Sequence, residues 1–148
     1  MTTSTTVVGI KTGRSPTLLR NALLANAVFA GVNGIADMFF SGPMAAFAGV
    51  PAAILPFSGA GLLAFAAALL WLRSRPTMSP GLVRTVIALD LVWVIGSVAA
   101  LLLHDSLGLT VGGAWLVAVG ADVVAVFALL QYVGLRGSLR ESVRNENA

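Results

Sequence analysis

Apolar residues dominate four stretches of the chain, at about residues 18–40, 51–72, 82–103 and 111–133. Each is long enough to supply the about 20 helical residues that cross a hydrocarbon core ~30 Å thick. The apolar positions surround each stretch and form no single stripe with a 3.6-residue period, the pattern of helices that meet lipid or protein on every side. This predicts an all-α fold, a polytopic transmembrane four-helix bundle occupying residues 16–134. A Thr-rich, disordered N-terminal tail covers 1–15 and a basic C-terminal tail covers 135–148. Lys11 and Arg14, followed by Leu23 to Phe29 and then Val28-Phe29-Ala30, imitate a secretory signal peptide. The apolar stretch continues past that point, so the segment is read as the first span.

The charges give these spans an orientation. Lys11, Arg14 and Arg20 precede the first span, Arg73, Arg75 and Arg84 flank the loop between the second and third, and Arg136, Arg140 and Arg144 follow the fourth. These are all 9 basic residues, and the other two loops have none. By the positive-inside rule both termini are cytoplasmic, Trp71 and Tyr132 sit at the inner interface, and Trp115 sits at the outer one. Arg136, Arg140 and Arg144 recur every fourth residue beside Leu135, Leu139 and Val143. That spacing predicts an extension of span four along the inner leaflet, its arginines on anionic lipid head groups.

The composition narrows the class. The 148 residues fit one compact unit, and 10% charged residues with 57% hydrophobic ones fall far from soluble domains, which run near ~25% charged. Mean hydropathy is +0.92 and the pI is near 10.7. A basic pI suggests nucleic acid, but the cations are not interleaved with stacking aromatics, so no nucleic-acid partner is expected. High Ala, Gly and Arg with a single Lys suggests a GC-rich bacterial genome and hence the cell inner membrane. The chain has no cysteine and one histidine, His104, which excludes thiol chemistry, iron–sulfur clusters and His-rich metal sites. Neither a GxSxG elbow nor a Walker A loop occurs. Gly59-Ala60-Gly61-Leu62-Leu63-Ala64 matches a dinucleotide fingerprint but lies inside a span with no preceding strand. No catalytic residue, metal or cofactor is expected, and the reading is non-enzymatic.

The chain repeats itself. Ser15-Pro16-Thr17-Leu18-Leu19-Arg20 and Ser79-Pro80-Gly81-Leu82-Val83-Arg84 both read S-P-x-L-[LV]-R. Superposing them sets Asn26 on Asp90, Phe29 on Trp93 and Asn33 on Ser97, and Leu63 to Ala66 loosely matches the stretch ending Phe127-Ala128. Two tandem helical hairpins related by a pseudo-two-fold along the membrane normal follow. Between the first two spans, Pro43 to Ala48 predicts a short interfacial helix, and Pro56 predicts a kink inside span two. Small residues set helix contacts in lipid. Ala114, Ala118, Ala121, Ala125 and Ala128 with Gly113 and Gly120, and likewise Ala60, Ala64, Ala67 and Ala68 with Gly61, are therefore expected to form close-packed faces, which fit the inside of the bundle as readily as a dimer contact.

Polar residues inside the spans carry the functional expectation, because a central Asp costs about 2.5–3.5 kcal/mol to insert and usually pairs inside a bundle. Asn26, Asn33 and Asp37 share a face of span one, while Asp90 and Asp122 fall at similar depths in spans three and four. Two carboxylates in low dielectric cannot both stay charged without a cation. These five residues are the candidate ligand- or ion-binding set, with Asn26, Asp90 and Asp122 clustered near mid-membrane and Asn33 and Asp37 extending outward. The competing reading makes them hydrogen-bonding glue between helices. His104-Asp105 is read as a solvated loop pair, ahead of a pH-sensitive pair or a weak metal site.

The S-P-x-L-L-R opening, Asn26, and the second copy ending Ile87-Ala88-Leu89-Asp90-Leu91-Val92-Trp93 resemble small uncharacterised bacterial four-span inner-membrane proteins, loosely the DoxX-like group. The resemblance covers spans one to four and implies a fold, with no residue role to carry over. The function expected is a binding or accessory role toward a membrane partner or lipid, with homo-oligomerisation an option. The alternative is a small oligomeric transporter or channel for protons, cations or a small solute, working through the intramembrane carboxylates.

Overall fold

The computed structural model of the chain describes residues 14–146. Helix α1 spans Arg14–Phe39, α2 Ser41–Ala48, a 3-10 turn Ala52–Ile54, α3 Leu55–Ser74, α4 Pro80–Leu102, α5 His104–Leu107 and α6 Val111–Glu146. Four of these segments are long and apolar enough to cross a membrane, at Thr17–Phe39, Ala52–Ser74, Pro80–Leu102 and Val111–Arg140. The protein is an all-α transmembrane four-helix bundle. Most of the tail expected over 1–15 lies outside the described residues, but its last two already belong to α1.

Proline placement shapes the helix starts. Pro80 opens α4 in its first turn, where the missing N–H costs nothing. Pro56 also sits in the first turn of its helix, because the chain enters α3 through the 3-10 turn. The expected kink inside span two is therefore absent, since a proline there displaces no intrahelical bond. The predicted interfacial helix is present as α2. The Ala48 carbonyl accepts from the Thr110 backbone N–H at 3.1 Å, which ties α2 to the start of α6. Thr110 caps α6, its Oγ1 accepting from the Gly113 N–H at 2.9 Å while its hydroxyl donates to the Phe47 carbonyl. Gly49 and Gly108 meet beside this joint with φ of 77° and 70°, a conformation that a side chain would strain.

The closest packing is within hairpins, α1 against α3 and α4 against α6, and α1 then joins the hairpins by packing on α6. The order across the molecule is α3–α1–α6–α4, with next to no contact between α3 and α4. Burial repeats between the halves. Leu19 and Val83, Ala22 and Val86, and Asn26 and Asp90 are equivalent and buried; so are Ala66 and Ala128, and Leu69 and Gln131. The tandem-hairpin reading is thus visible in the packing as well as in the sequence.

Two expected faces separate. On α6, Gly113, Ala121 and Ala128 are buried as anticipated. On α3, Ala60, Gly61, Ala64, Ala67 and Ala68 are all exposed, and the buried face is Gly59, Ala66, Leu69 and Leu72 instead. Gly59 explains the choice. It meets Gly34 of α1 so closely that a Cβ on Gly59 would lie 2.6 Å from the Gly34 carbonyl oxygen. The closest backbone approach therefore falls on the other side of α3 from the alanine face.

Helix α6 does not stop at the expected end of span four. Its 36 residues, about 54 Å at 1.5 Å per residue, run on through the C-terminal segment as the helical extension that the arginine spacing predicts there. Leu135 and Ser138 are buried, and Leu139 packs on the core of Leu19, Leu23, Leu69, Leu72, Met78, Val83 and Val86. Leu19 packs directly on Gly134.

Candidate functional site

One end of the bundle gathers arginines. The Arg20 guanidinium donates to the carbonyls of Arg73 (2.8 Å), Arg75 (2.7 Å) and Pro76 (3.3 Å), and Arg73 Nε donates back to the Arg20 carbonyl at 3.2 Å. These bonds satisfy the orphan carbonyls at the end of α3 and lock it to the first turns of α1. Arg75 stacks on Trp71 with its guanidinium carbon 4.1 Å from the ring centre, and Arg136 lies 5.4 Å from the Tyr132 ring. Arg84 and Arg140 are exposed at the same end. For Arg144 the backbone alone is described, as part of α6.

Six residues above Arg20 and Arg84 along their helices, about 9 Å, lies the buried polar centre. Asn26 Nδ2 donates to Asp90 Oδ2 at 2.8 Å, and Gln131 Nε2 donates to the same oxygen at 3.0 Å. Asn26 is 1% exposed, Asp90 2% and Gln131 0%. Three helices, α1, α4 and α6, are thus joined through one carboxylate oxygen. Gln131 Oε1 is buried with no hydrogen-bond partner. The two expected partners Asn26 and Asp90 meet because they are repeat equivalents, and equivalent positions near a pseudo-two-fold axis face one another.

Asp122 does not join them. It is exposed, and Gln131, level with Asp90 through its hydrogen bond, stands nine residues away, about 13 Å along α6. The depth match fails because α6 runs past the expected end of its span, which shifts its register against α4. The face fails because α6 buries Ala121, Val124, Ala128, Gln131, Leu135 and Ser138, and residue 122 is turned about 100° from Ala121. Nor do Asn33 and Asp37 extend the centre outward. Asn33 Nδ2 donates to the Phe29 carbonyl of its own helix at 2.8 Å. Asp37 accepts from Ser58 Oγ at 3.0 Å, closing the α1–α3 hairpin near its far end. His104 and Asp105 form an exposed pair, Nε2 to Oδ1 3.1 Å.

Gln131 is the participant that the sequence reading missed. Its signal was its spacing, three residues after Ala128 on the small-residue face of α6, where any polar side chain must turn inward. Neither a shallow concavity along α1 from Asn21 to Asn33 nor a groove between α4 and α6 is lined by Asn26, Asp90 or Gln131. Among the described residues no three His, Asp or Glu side chains gather as metal ligands. No family model, curated protein or solved structure matches the chain.

Proposed function

We propose that the protein is a non-enzymatic accessory protein of a bacterial inner membrane, with both termini cytoplasmic, that holds a transmembrane partner against α3. One observation carries this reading: Ala60, Gly61, Ala64, Ala67 and Ala68 form an exposed face of α3 bounded by exposed Phe57 and Trp71. Large side chains are at home in lipid, whereas a row of small ones lets a second backbone approach closely. The orientation rests on Arg20, Arg73, Arg75, Arg84, Arg136 and Arg140 lying at one end of the bundle.

The chain is free of cysteine, so a single Ala64→Cys variant tests the reading cleanly. Oxidative or bifunctional crosslinking in native membranes is expected to give one defined adduct, whose mass separates a second copy from a different protein. Ala64→Leu is expected to abolish that partner in a mild-detergent pull-down while leaving the melting temperature unchanged. Loss of neither adduct nor partner in the Leu variant sinks the reading.

A second reading is favoured by Gln131 Oε1, an acceptor without a donor beside Asp90. A proton or cation delivered there would serve a small oligomeric transporter. Asp90→Asn keeps hydrogen-bonding capacity and removes the ionisable group. Unchanged proton or cation flux in proteoliposomes carrying this variant eliminates the second reading.

A further inference from the structure

Between α4 and α6, at the arginine end, lies a cavity of about 310 Å³ lined by Arg84, Ile87, Tyr132, Leu135, Arg136 and Leu139. We propose that this groove binds one anionic glycerophospholipid, its phosphate held between Arg84 and Arg136. The chemistry is divided as such a lipid is divided. Arg84, Tyr132 and Arg136 are exposed, whereas Leu135 is buried and Ile87 and Leu139 are half-buried, so two guanidinium groups and a phenol stand outward of an apolar wall. Guanidinium forks match phosphate oxygens with paired donors, and the Tyr132 hydroxyl adds one more.

Charge complementarity selects the occupant. Among the described residues neither arginine is in an ion pair, and Arg136 is instead ordered over the Tyr132 ring. The groove is therefore a net-positive notch with apolar walls, at the level where the other arginines mark the membrane surface. Its apolar side also has a continuation. Leu91 and Ile95 follow Ile87 at four-residue steps along α4, Leu129 lies one turn before Tyr132 on α6, and all three are exposed. An acyl chain can follow this track from the notch toward the buried polar centre. A soluble phosphate or a peptide would leave the track empty.

Basic clefts between membrane helices differ from a diffuse positive surface in that the position of the charge matters, not only its amount. Arg75 supplies the control, since it lies at the same end but on α3, stacked on Trp71. The full chain is reconstituted in nanodiscs of phosphatidylcholine doped with phosphatidylglycerol, and retained lipids are counted by native mass spectrometry. The wild-type protein is expected to keep one phosphatidylglycerol and no phosphatidylcholine. Arg84→Gln with Arg136→Gln is expected to weaken retention by roughly tenfold or more, and Arg75→Gln by severalfold less. Arg84→Lys with Arg136→Lys is expected to lose less than the glutamine pair, as charge without the fork. Circular dichroism melts confirm that each variant is folded. Equal losses in the Arg75→Gln and paired variants overturn the proposal in favour of a diffuse surface. Displacement of the lipid by inorganic phosphate or glycerol phosphate overturns it in favour of a headgroup-only site.

Discussion

Asp90 is the residue on which the interior turns. Its Oδ2 takes both side-chain amides offered by α1 and α6, so three helices share one acceptor. Hydrogen bonds between membrane helices contribute about 0.6–2 kcal/mol each, and their loss strands the remaining partner. Asn26→Leu and Asp90→Leu are each expected to lower the melting temperature in detergent. The double variant is expected to lose less than the sum, with a coupling of about 0.5–2 kcal/mol in a double-mutant cycle. Asp122 makes the contrast, being exposed and bonded to nothing described. Asp122→Leu is expected to leave unfolding within about 0.5 kcal/mol of wild type, as surface changes usually do. A loss as large as that of Asp90→Leu would show that Asp122 is covered in the membrane.

Among the elements, the α1–α3 hairpin depends on glycine for its spacing. A Cβ on Gly34 would lie 2.9 Å from the Gly59 carbonyl oxygen, and the reverse approach is 2.6 Å, backbone against backbone in both directions. Neither atom can step aside, so Gly59→Ala is expected to push the helices apart and destabilise by about 1–3 kcal/mol. Gly61→Ala and Gly96→Ala meet nothing within 4 Å and are expected to be neutral or to gain up to about 1 kcal/mol from helix propensity. Thermal melts of the three variants read this directly. The same comparison explains why the bundle does not use the alanine face of α3. Small residues at helical spacing show where a close approach is permitted, and Gly59 took the approach on another side. Gln131 was legible only as a polar residue on the alanine face of α6, and Asn26 with Asp90 only through the repeat.

At the scale of the molecule, the helices lie in the order α3–α1–α6–α4, and the arginine end is closed by α6 running beyond residue 133, the end expected for its span. That overhang is part of the bundle, because Leu135 and Ser138 are buried and Leu139 packs on the core. A chain ending after Val133 is expected to melt markedly lower than the full protein, since it uncovers Leu19. What the amino-acid order determined alone was the number of spans, their helical state, the gathering of cations at one end and the pairing of Asn26 with Asp90. Composition and length are local in the chain, and the repeat is read by sliding the chain along itself, so none of them needs the packing. The tertiary structure alone decided which face each helix buries, that Gln131 completes the polar centre, that Asp122 does not, and that Arg84 meets Arg136 across a groove. Those outcomes depend on register and rotation between helices, and an apolar helix with no stripe leaves rotation open until another backbone packs against it.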